Sequence, residues 1–364
     1  MELPLNITRF EPPGRVGVIG TGAFGRFCID AYGQTEDLRV VAAADSDPDA
    51  LHRVGGRDLH LHSDWQRLVD DPQIEVVHLA APPHVRRDIV FASLRAGKSV
   101  FCEKPLALSL EDADAMITAA RQAGMALGID YVMRHHPAYQ MLETLASSSL
   151  IGGLRTVSLQ NFAQQMPGDH WFWDRARSGG ILVEHGVHFF DAYRRVAGDA
   201  LHVHGLAPRH EAVEVTVGYN SGVVGRFYHE FAFPRAVERT LGTFFFERGS
   251  VEIEGWIPTA AHLTVLSEPE ALGAVLAPWQ ARVHRQGAGV ARVTLEFPER
   301  QAAYAQGIVA GMRDLIARHR DSGYQMSVTA ADARESLALA IAGQTAVDTG
   351  VTVELEAYRY SPVT

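Results

Sequence analysis

A glycine-rich segment with the spacing of a phosphate-binding turn lies near the start of the chain: Gly20, Thr21, Gly22, Ala23, Phe24 and Gly25. In such a turn the first glycine permits a tight bend and the second lets a pyrophosphate approach the backbone. The third lets the following helix pack closely on the strand, and the helix N-terminus stabilises phosphate charge. Because an apolar run precedes the segment and a helix-like run follows it, we predict dinucleotide binding here. A plain strand-to-helix turn is the alternative.

An acid at the end of the next apolar run indicates which dinucleotide is bound. Asp45 stands 20 residues after Gly25, the position at which a carboxylate binds the ribose 2'-hydroxyl. The same carboxylate would repel a 2'-phosphate, and Ser46 rather than an arginine follows it. The sequence therefore favours NAD over NADP.

A second constellation lies in "SGGILVEHGVHFFDAYRRVAG", residues 178–198. On a regular helix Glu184, His188 and Asp191 would share one face. A carboxylate one turn from an imidazole can orient the ring and raise its pKa, which suits a general base. Solvated charges at a helix end are the plainer interpretation. A metal site that adds His185 is a third, but the order Glu-His-x-x-His is not that of the His-Glu-x-x-His metalloproteases, so we expect no metal.

The tripeptide Glu103-Lys104-Pro105 closes the apolar run of residues 99–102. Two adjacent charged residues are costly to bury unless they are paired or have a task. Taken alone, the tripeptide fits a surface turn or a working site.

The elements that must position these residues follow two patterns. Up to about residue 130, apolar runs alternate with helix-like segments, which indicates βαβ units and a parallel sheet. Beyond about residue 150, alternating runs joined by short turns indicate a mainly antiparallel sheet, followed by helices at 301–320 and 330–349. We therefore expect an α/β protein with an N-terminal Rossmann domain (residues 1–129) and a C-terminal α+β domain (residues 130–364) that binds substrate and oligomerises.

Composition excludes several classes of function. The formal net charge of -10 argues against binding to nucleic acid or to an anionic membrane surface. The two cysteines are too few for a disulfide framework and suit a reducing cytoplasm. The N-terminus lacks the pattern of a secretory leader, and no apolar run reaches the roughly 18 residues of a membrane span.

The sequence resembles the glucose-fructose oxidoreductase, inositol dehydrogenase and rhizopine-catabolism (Gfo/Idh/MocA) oxidoreductases over nearly its whole length. The motifs that carry the resemblance are the glycine segment, "APP" (81–83), "AGKSVFCEKPLAL" (96–108), "DYVMRHHPAY" (130–139), "SGGILVEHGVHFFD" (178–191), "GTFFFERGSVEI" (242–253) and the segment 329–355. Three positions depart from the family pattern. Glu184 stands where aspartate is usual, Ser178 replaces a common glycine, and Arg86 takes the place of a frequent histidine.

The resemblance implies roles for particular residues. Lys104 would project toward the nicotinamide and hold the substrate oxygen, with its backbone held extended before Pro105. His188 would exchange the hydroxyl proton, with Glu184 as its partner. Further cofactor contacts are expected at Ala81, Pro82 and Glu103, and substrate contacts at Tyr131, Arg134, His135, Trp171, Trp173 and His185. For residues 131–136 interdomain packing is an equal alternative, and for the tryptophans a buried strand cap is a close one.

The expected activity is NAD(P)-dependent hydride transfer at a hydroxyl or keto carbon of a sugar, polyol or cyclitol. An NAD-retaining glycoside hydrolase and a non-catalytic dinucleotide sensor are the alternatives. A sensor would have no need of Lys104 and His188, so their presence counts against it. We also expect a cytoplasmic homodimer or homotetramer, because long alternating strands need their open face covered.

Overall fold

The computed structural model describes residues 12–287 and 289–359, which divide into two compact units. The N-terminal unit contains the described residues up to Val132 together with Ala305–Leu337. The C-terminal unit contains Met133–Tyr304 and the described residues from Ala338 onward. The N-terminal unit thus includes a helical segment that a linear boundary between residues 129 and 130 assigns to the other domain.

The described part of the N-terminal unit contains a six-stranded parallel sheet. Its strands are β1 (Gly14–Ile19), β2 (Leu38–Ala44), β3 (His60–His62), β4 (Val76–Leu79), β5 (Ser99–Cys102) and β6 (Leu127–Ile129). The order β3-β2-β1-β4-β5-β6 is that of a doubly wound dinucleotide-binding sheet. This confirms the predicted Rossmann architecture. The short strand β3 was not predicted, because its alternating histidines fit a loop equally well.

Helices connect these strands, as their sequence spacing predicts. They are α1 (Ala23–Tyr32), α2 (Pro48–Val54), α3 (Trp65–Val69), α4 (Arg86–Arg95) and α5 (Leu110–Ala123). Side chains of Asp47, Asp64 and Ser109 accept hydrogen bonds from backbone N–H groups at the starts of α2, α3 and α5. These caps fix where each helix begins. They therefore also fix the turn by which the chain leaves the preceding strand.

The described part of the C-terminal unit contains a ten-stranded sheet, in the order β14-β15-β13-β12-β11-β7-β10-β9-β8-β16. Its strands are β7 (Leu154–Gln164), β8 (Ala200–Arg209), β9 (Ala212–Tyr219), β10 (Val224–Phe233), β11 (Arg239–Phe246), β12 (Gly249–Glu254), β13 (Ala260–Leu266), β14 (Val283–Arg285), β15 (Val290–Glu296) and β16 (Val353–Glu354). Neighbouring strands are antiparallel except β7 and β10, which run parallel. The expected mainly antiparallel sheet is confirmed.

The remaining helices are α6 (Pro137–Ser147), α7 (Arg175–Ser178), α8 (Val187–Ala197), α9 (Pro269–Val275), α10 (Arg300–Arg320) and α11 (Ala330–Thr349). In the C-terminal unit, α11 packs on one face of the sheet. A Cβ added at Gly205 on β8 would lie 2.6 Å from Val347 of α11, so the small residue permits this close approach. No helix of the described residues is long and apolar enough to cross a bilayer.

Specific contacts explain why the end of α10 belongs with the N-terminal unit. Arg313 forms a two-point ion pair with Asp37, which is 2% exposed. Arg320 pairs with Glu75, just before β4, and Ile316 fills the space beside Gly14 at the start of β1. The helix therefore supports the end of the sheet at which β1 begins.

Candidate functional site

The three glycines of the predicted phosphate turn have different surroundings. Gly20 has φ +93°, and a Cβ there would lie 2.8 Å from the Ala80 backbone. A Cβ on Gly25 would collide with the Gly20 carbonyl oxygen. By contrast, a Cβ on Gly22 would meet no atom within 4 Å. Gly20 and Gly25 are thus required by packing, whereas the open space beside Gly22 fits a pyrophosphate at the start of α1.

Asp45 anchors this turn. One carboxylate oxygen accepts hydrogen bonds from the Thr21 backbone N–H at 2.6 Å and from the Thr21 hydroxyl at 3.2 Å, and the other accepts from the Asp47 N–H at 2.9 Å. Asp45 is half-buried, and Ser46 beside it is exposed. A carboxylate has about four acceptor sites, so capacity remains for a ribose hydroxyl. The donor set therefore fits an adenosine ribose at this strand end.

Arg86 links the turn at Ala81 to the turn at Lys104. Its Nε donates to the Ala81 carbonyl at 2.8 Å, and its Nη1 donates to the carbonyls of Glu103 and Pro105, both at 2.5 Å. The Lys104–Pro105 peptide is cis, and Lys104 itself is half-buried. A guanidinium can span several carbonyls because its donors form a rigid fork. Arg86, which departs from the resembled family's pattern, therefore holds the backbone on both sides of Lys104.

The Glu103 side chain turns into the interior. Its carboxylate oxygen lies 3.3 Å from Nε2 of His78 on β4, and Nδ1 of that ring lies 2.6 Å from the Tyr32 hydroxyl. All three residues are at most 6% exposed. The sulfur of Cys28 also lies within 4.8 Å of the nearest ligand atoms of His78 and Glu103. Sequence reasoning missed this cluster because its members come from separate elements; the charged Glu103 after an apolar strand was the one available signal.

The segment around His188 is not a regular helix. Leu182–Gly186 forms a π-helical turn, and α8 begins at Val187. Glu184 lies half-buried in the π turn, whereas His188 is 3% exposed. Sequence periodicity alone does not distinguish a π turn from an α-helix, and such turns are frequent at functional sites.

Asp191 has a separate role from the one its spacing suggested. Its two carboxylate oxygens lie 2.6 and 2.7 Å from Nε and Nη2 of Arg134, and both side chains are buried. This two-point pair neutralises both charges within the C-terminal unit. It gives Arg134 a structural partner, and its contact with substrate stays a prediction.

Histidine and aromatic rings gather around His188. The ring centroids of His188 and His185 lie 5.9 and 6.3 Å from that of Trp256. Arg300 lies over the Trp256 ring at 5.1 Å, and His229 lies 5.7 Å from His185. Sequence reasoning could not connect Trp256 or His229 with His188, because these residues lie on the turn after β12 and on β10, far from His188 in sequence.

The other predicted substrate residues lie in varied surroundings. Tyr131 and His135 are almost fully buried, and burial lowers the pKa of His135 to about 4. Trp171 and Trp173 form a short 3-10 turn. The Trp173 ring lies beside that of His210, and its indole N–H donates to the Pro167 carbonyl at 3.0 Å. Trp173 also lines a cavity that His185 and His188 do not line. The structure therefore brings His185 close to His188, and it places Trp173 among a different group of side chains.

Comparison with known families accounts for both units. A family model described as "Oxidoreductase family, NAD-binding Rossmann fold" matches residues 14–131, and the GFO/IDH/MocA C-terminal domain matches residues 139–252. The chain belongs to the Gfo/Idh/MocA oxidoreductase family. This confirms the resemblance of its motifs and the predicted NAD-binding Rossmann type, while the assignment of the glycine turn to the dinucleotide stays a prediction.

Individual relatives match about half of the chain. A 1,5-anhydro-D-fructose reductase of Ensifer adhaerens is 32% identical over 46% of this chain and 53% of its own length. A myo-inositol 2-dehydrogenase of Thermotoga maritima is 28% identical over 51% of this chain and 55% of its own length. The chain thus spans about half the length of these curated relatives.

Fold similarity extends further. A levoglucosan dehydrogenase solved with NADH and L-sorbose has a TM-score of 0.79 at 19% identity, covering 94% of this chain and 99% of that one. At this identity the match shows the fold alone. Nearly the whole chain therefore has the fold of this solved levoglucosan dehydrogenase.

Proposed function

We propose that the protein is an NAD-dependent oxidoreductase acting on the CH–OH group, or the corresponding keto group, of a sugar, polyol or cyclitol. The observation that carries the proposal is the glycine turn, with open space beside Gly22 and Asp45 anchored at Thr21, in a chain of this family. Gly20, Gly22, Gly25 and Asp45 would hold the dinucleotide. Bound nicotinamide supplies the hydride chemistry.

The protein's own residues would handle the substrate oxygen and its proton. The Lys104 ammonium would donate a hydrogen bond to that oxygen, and the His188 imidazole would take the hydroxyl proton during oxidation and return it during reduction. Glu184 would orient the imidazole. Proton transfer by a positioned side chain contributes about 10²- to 10⁴-fold to rate. Arg86 supports this assignment, because it fixes the backbone on both sides of Lys104.

The relatives support a polyhydroxylated ring as substrate. One is a reductase of 1,5-anhydro-D-fructose and another a dehydrogenase of myo-inositol. Trp256 beside His185 and His188 offers a flat apolar surface next to polar ring nitrogens, which suits a ring with apolar and hydroxylated faces. A contact between Trp256 and the substrate is part of the proposal.

We also propose a cytoplasmic homodimer or homotetramer. Strand β11 alternates buried and exposed residues, and Phe245 on its open face is 48% exposed. Covering such residues with a second copy would remove apolar area from water. Cys28 and Cys102 are both buried thiols, which fits a reducing compartment. Sedimentation at micromolar concentration would test the oligomer, and a monomer would contradict it.

The activity is tested by following NADH absorbance with NAD and a panel of sugars, inositols and anhydrosugars, with the wild-type protein and Lys104→Ala compared throughout. Formation of NADH by the wild type, reduced strongly in the variant, is the expected result. Protein that binds NAD but oxidises none of the panel, and reduces none of the matching ketones with NADH, would contradict the proposal. Release of free sugar from an aryl glycoside without net NADH would assign hydrolysis instead.

A further inference from the structure

Glu103 and Asp130 bring two carboxyl groups together at the carboxyl ends of two neighbouring strands of the parallel sheet. They directly follow β5 and β6, neighbouring strands in which Cys102 pairs with Ile129. The Asp130 N–H donates to the Cys102 carbonyl at 2.9 Å, so the pairing continues to Asp130 itself. Neighbouring strands lie about 4.8 Å apart, so the two side chains begin from adjacent positions. Glu103 is 6% exposed and Asp130 is 1% exposed.

The hydrogen bonding of the two carboxyl groups differs. Glu103 has the imidazole of His78 as a partner at 3.3 Å. Among the residues that the structure describes, no N–H or O–H group donates a hydrogen bond to either carboxyl oxygen of Asp130. An ionised, buried carboxylate without donors is costly, and a second carboxylate beside it raises that cost. A proton shared between the two groups removes both penalties.

We propose that Asp130 carries a proton at neutral pH and donates a hydrogen bond to the Glu103 carboxylate, so that the two carboxyl groups together present one negative charge to Lys104. Asp130 is then a positioning residue: it acts through Glu103 and does not touch the substrate. This inference rests on the proposed function for the role of Lys104. The shared proton itself does not depend on that role.

The electrostatic surroundings agree with this arrangement. Burial is the largest cause that raises the pKa of Asp130, the charge of Glu103 and a hydrogen bond to it raise it further, and the charge of Lys104 opposes them. The positive charge of Lys104 therefore acts on the ionisation of Asp130. A monoanion of the two carboxyl groups balances the charge of the Lys104 ammonium one to one.

The other ionisable groups around the pair are already accounted for. From α1, Cys28 and Tyr32 face it, and burial raises the pKa of both, so they are neutral at pH 7. From α4, Arg86 donates to backbone carbonyls. On β4, the Nδ1 atom of His78 is hydrogen-bonded to the Tyr32 hydroxyl and its Nε2 atom to the Glu103 carboxylate. On β5, burial raises the pKa of Cys102 to about 11. Because both His78 nitrogens have hydrogen-bonding partners, a shared proton fits this cluster better than a metal ion at Cys28, His78 and Glu103.

Infrared spectroscopy of the full-length protein tests the proton directly. At pH 7 the wild type should show the carbonyl stretch of a buried, protonated carboxylic acid, and Asp130→Asn should lack it. Asp314→Asn is the matched control, since Asp314 is a buried carboxylate of the same unit with its own donors in Tyr324 and Ser327. Absence of the band from the wild type, or its persistence in Asp130→Asn, would overturn the proposal. This result is independent of any activity.

Kinetics test the positioning role. Asp130→Leu has no donor for Glu103, so turnover should fall about 10- to 100-fold, the worth of a hydrogen bond to a charged group. Asp130→Asn supplies an amide donor and should restore most of that loss, with NAD affinity unchanged in both. Glu103→Gln removes the negative charge and should move the alkaline limb of the pH–rate profile to lower pH. Turnover of Asp130→Asn no higher than that of Asp130→Leu would refute the hydrogen bond from Asp130 to Glu103. The proposal would also be refuted if the protein held one equivalent of a divalent metal and Cys28→Ala lost it.

Discussion

The two units contain buried polar clusters of opposite character. In the N-terminal unit, Tyr32, His78 and Glu103 form a continuous hydrogen-bonded chain. In the C-terminal unit, His229 is fully buried, and neither of its ring nitrogens has a hydrogen-bond partner among the described residues. Burial lowers its pKa well below the usual range, so this ring stays uncharged. The cluster around His78 thus pairs its polar groups, whereas the cluster around His229 keeps this ring uncharged.

The difference has a mechanistic meaning. A lysine that must remain an ammonium needs an anion close by, whereas an imidazole that accepts a proton must be uncharged before it does so. The N-terminal cluster therefore suits the role proposed for Lys104, and the aromatic and histidine cluster suits the role proposed for His188. Variants that respond differently in the two clusters test this contrast.

The largest expected effect is on turnover. Lys104→Ala and His188→Ala should each lower it about 10²- to 10⁴-fold, the usual worth of a positioned proton-handling group. NAD affinity should stay within a few-fold, since neither side chain is assigned to the pyrophosphate. His204→Ala, at an exposed position on β8, is the control and should keep full turnover. Full turnover in His188→Ala would remove the assignment of this cluster.

The glycine turn gives the next largest effect, in a matched pair. Gly22→Ala adds a methyl group in open space, so it should leave the melting temperature unchanged while weakening NAD binding about tenfold or more by blocking the pyrophosphate. Gly25→Ala should instead destabilise the fold, because its Cβ would collide with the Gly20 carbonyl. Calorimetry of binding and of unfolding separates the two results. Unchanged NAD affinity in Gly22→Ala would show that the dinucleotide lies elsewhere.

Replacing each buried histidine by an apolar ring contrasts the two clusters directly. His78→Phe removes the partner of Tyr32 and Glu103 and should lower the free energy of unfolding by about 1–3 kcal/mol. His229→Phe removes an imidazole whose ring nitrogens lack partners, so its cost should be clearly smaller. Denaturant titrations of both variants measure the difference. Equal losses would show that the two clusters do not differ in this way.

A smaller effect is expected on cofactor choice. Asp45→Asn keeps an acceptor for the Thr21 N–H but loses the charge that repels a 2'-phosphate. The preference for NAD over NADP should therefore narrow, mainly through tighter NADP binding. Asp45→Ala would also remove the acceptor of the Thr21 hydrogen bonds. A change in cofactor preference could then not be separated from a less stable turn. An unchanged preference in Asp45→Asn would place the ribose away from this carboxylate.

A further effect is expected on acid stability. Burial lowers the pKa of His136 from 6.5 to about 3. The unfolded chain therefore binds a proton that the folded state refuses, and this contribution to stability is lost as pH falls from about 6.5 toward 3. His136 caps α6 through the Ala138 N–H, a role that asparagine can also fill. His136→Asn should weaken the pH dependence in this range; an identical profile would contradict the assignment.

The sequence could predict those features that depend on neighbouring residues. The glycine turn, the acid after the second strand and the alternation of strand and helix are local, so the Rossmann sheet and the position of its glycine turn followed from them. The segments of Lys104 and His188 were identified from their residue types and spacing, and the family resemblance implied the roles of these two residues. Their surroundings required the structure, since Arg86, His78 and Asp130 reach the Lys104 turn from other strands and helices.

Other features could not be predicted, for physical reasons. The π turn at Leu182–Gly186 has the same apolar spacing as an α-helix, so periodicity does not reveal it. Asp191 was placed with His188 by helical spacing, but its partner is Arg134, 57 residues away in sequence. Trp256 gives no local signal, because a tryptophan after a strand fits many packing roles.

The roles proposed for Lys104 and His188 require that both residues act on one hydroxyl group beside bound NAD. The most direct test is turnover of the double variant Lys104→Ala/His188→Ala beside both single variants, at saturating NAD. Because each substitution disables the same proton transfer, the double variant should be about as slow as the slower single variant. Losses that multiply across the two substitutions would show that the residues act in separate steps, and would contradict the account.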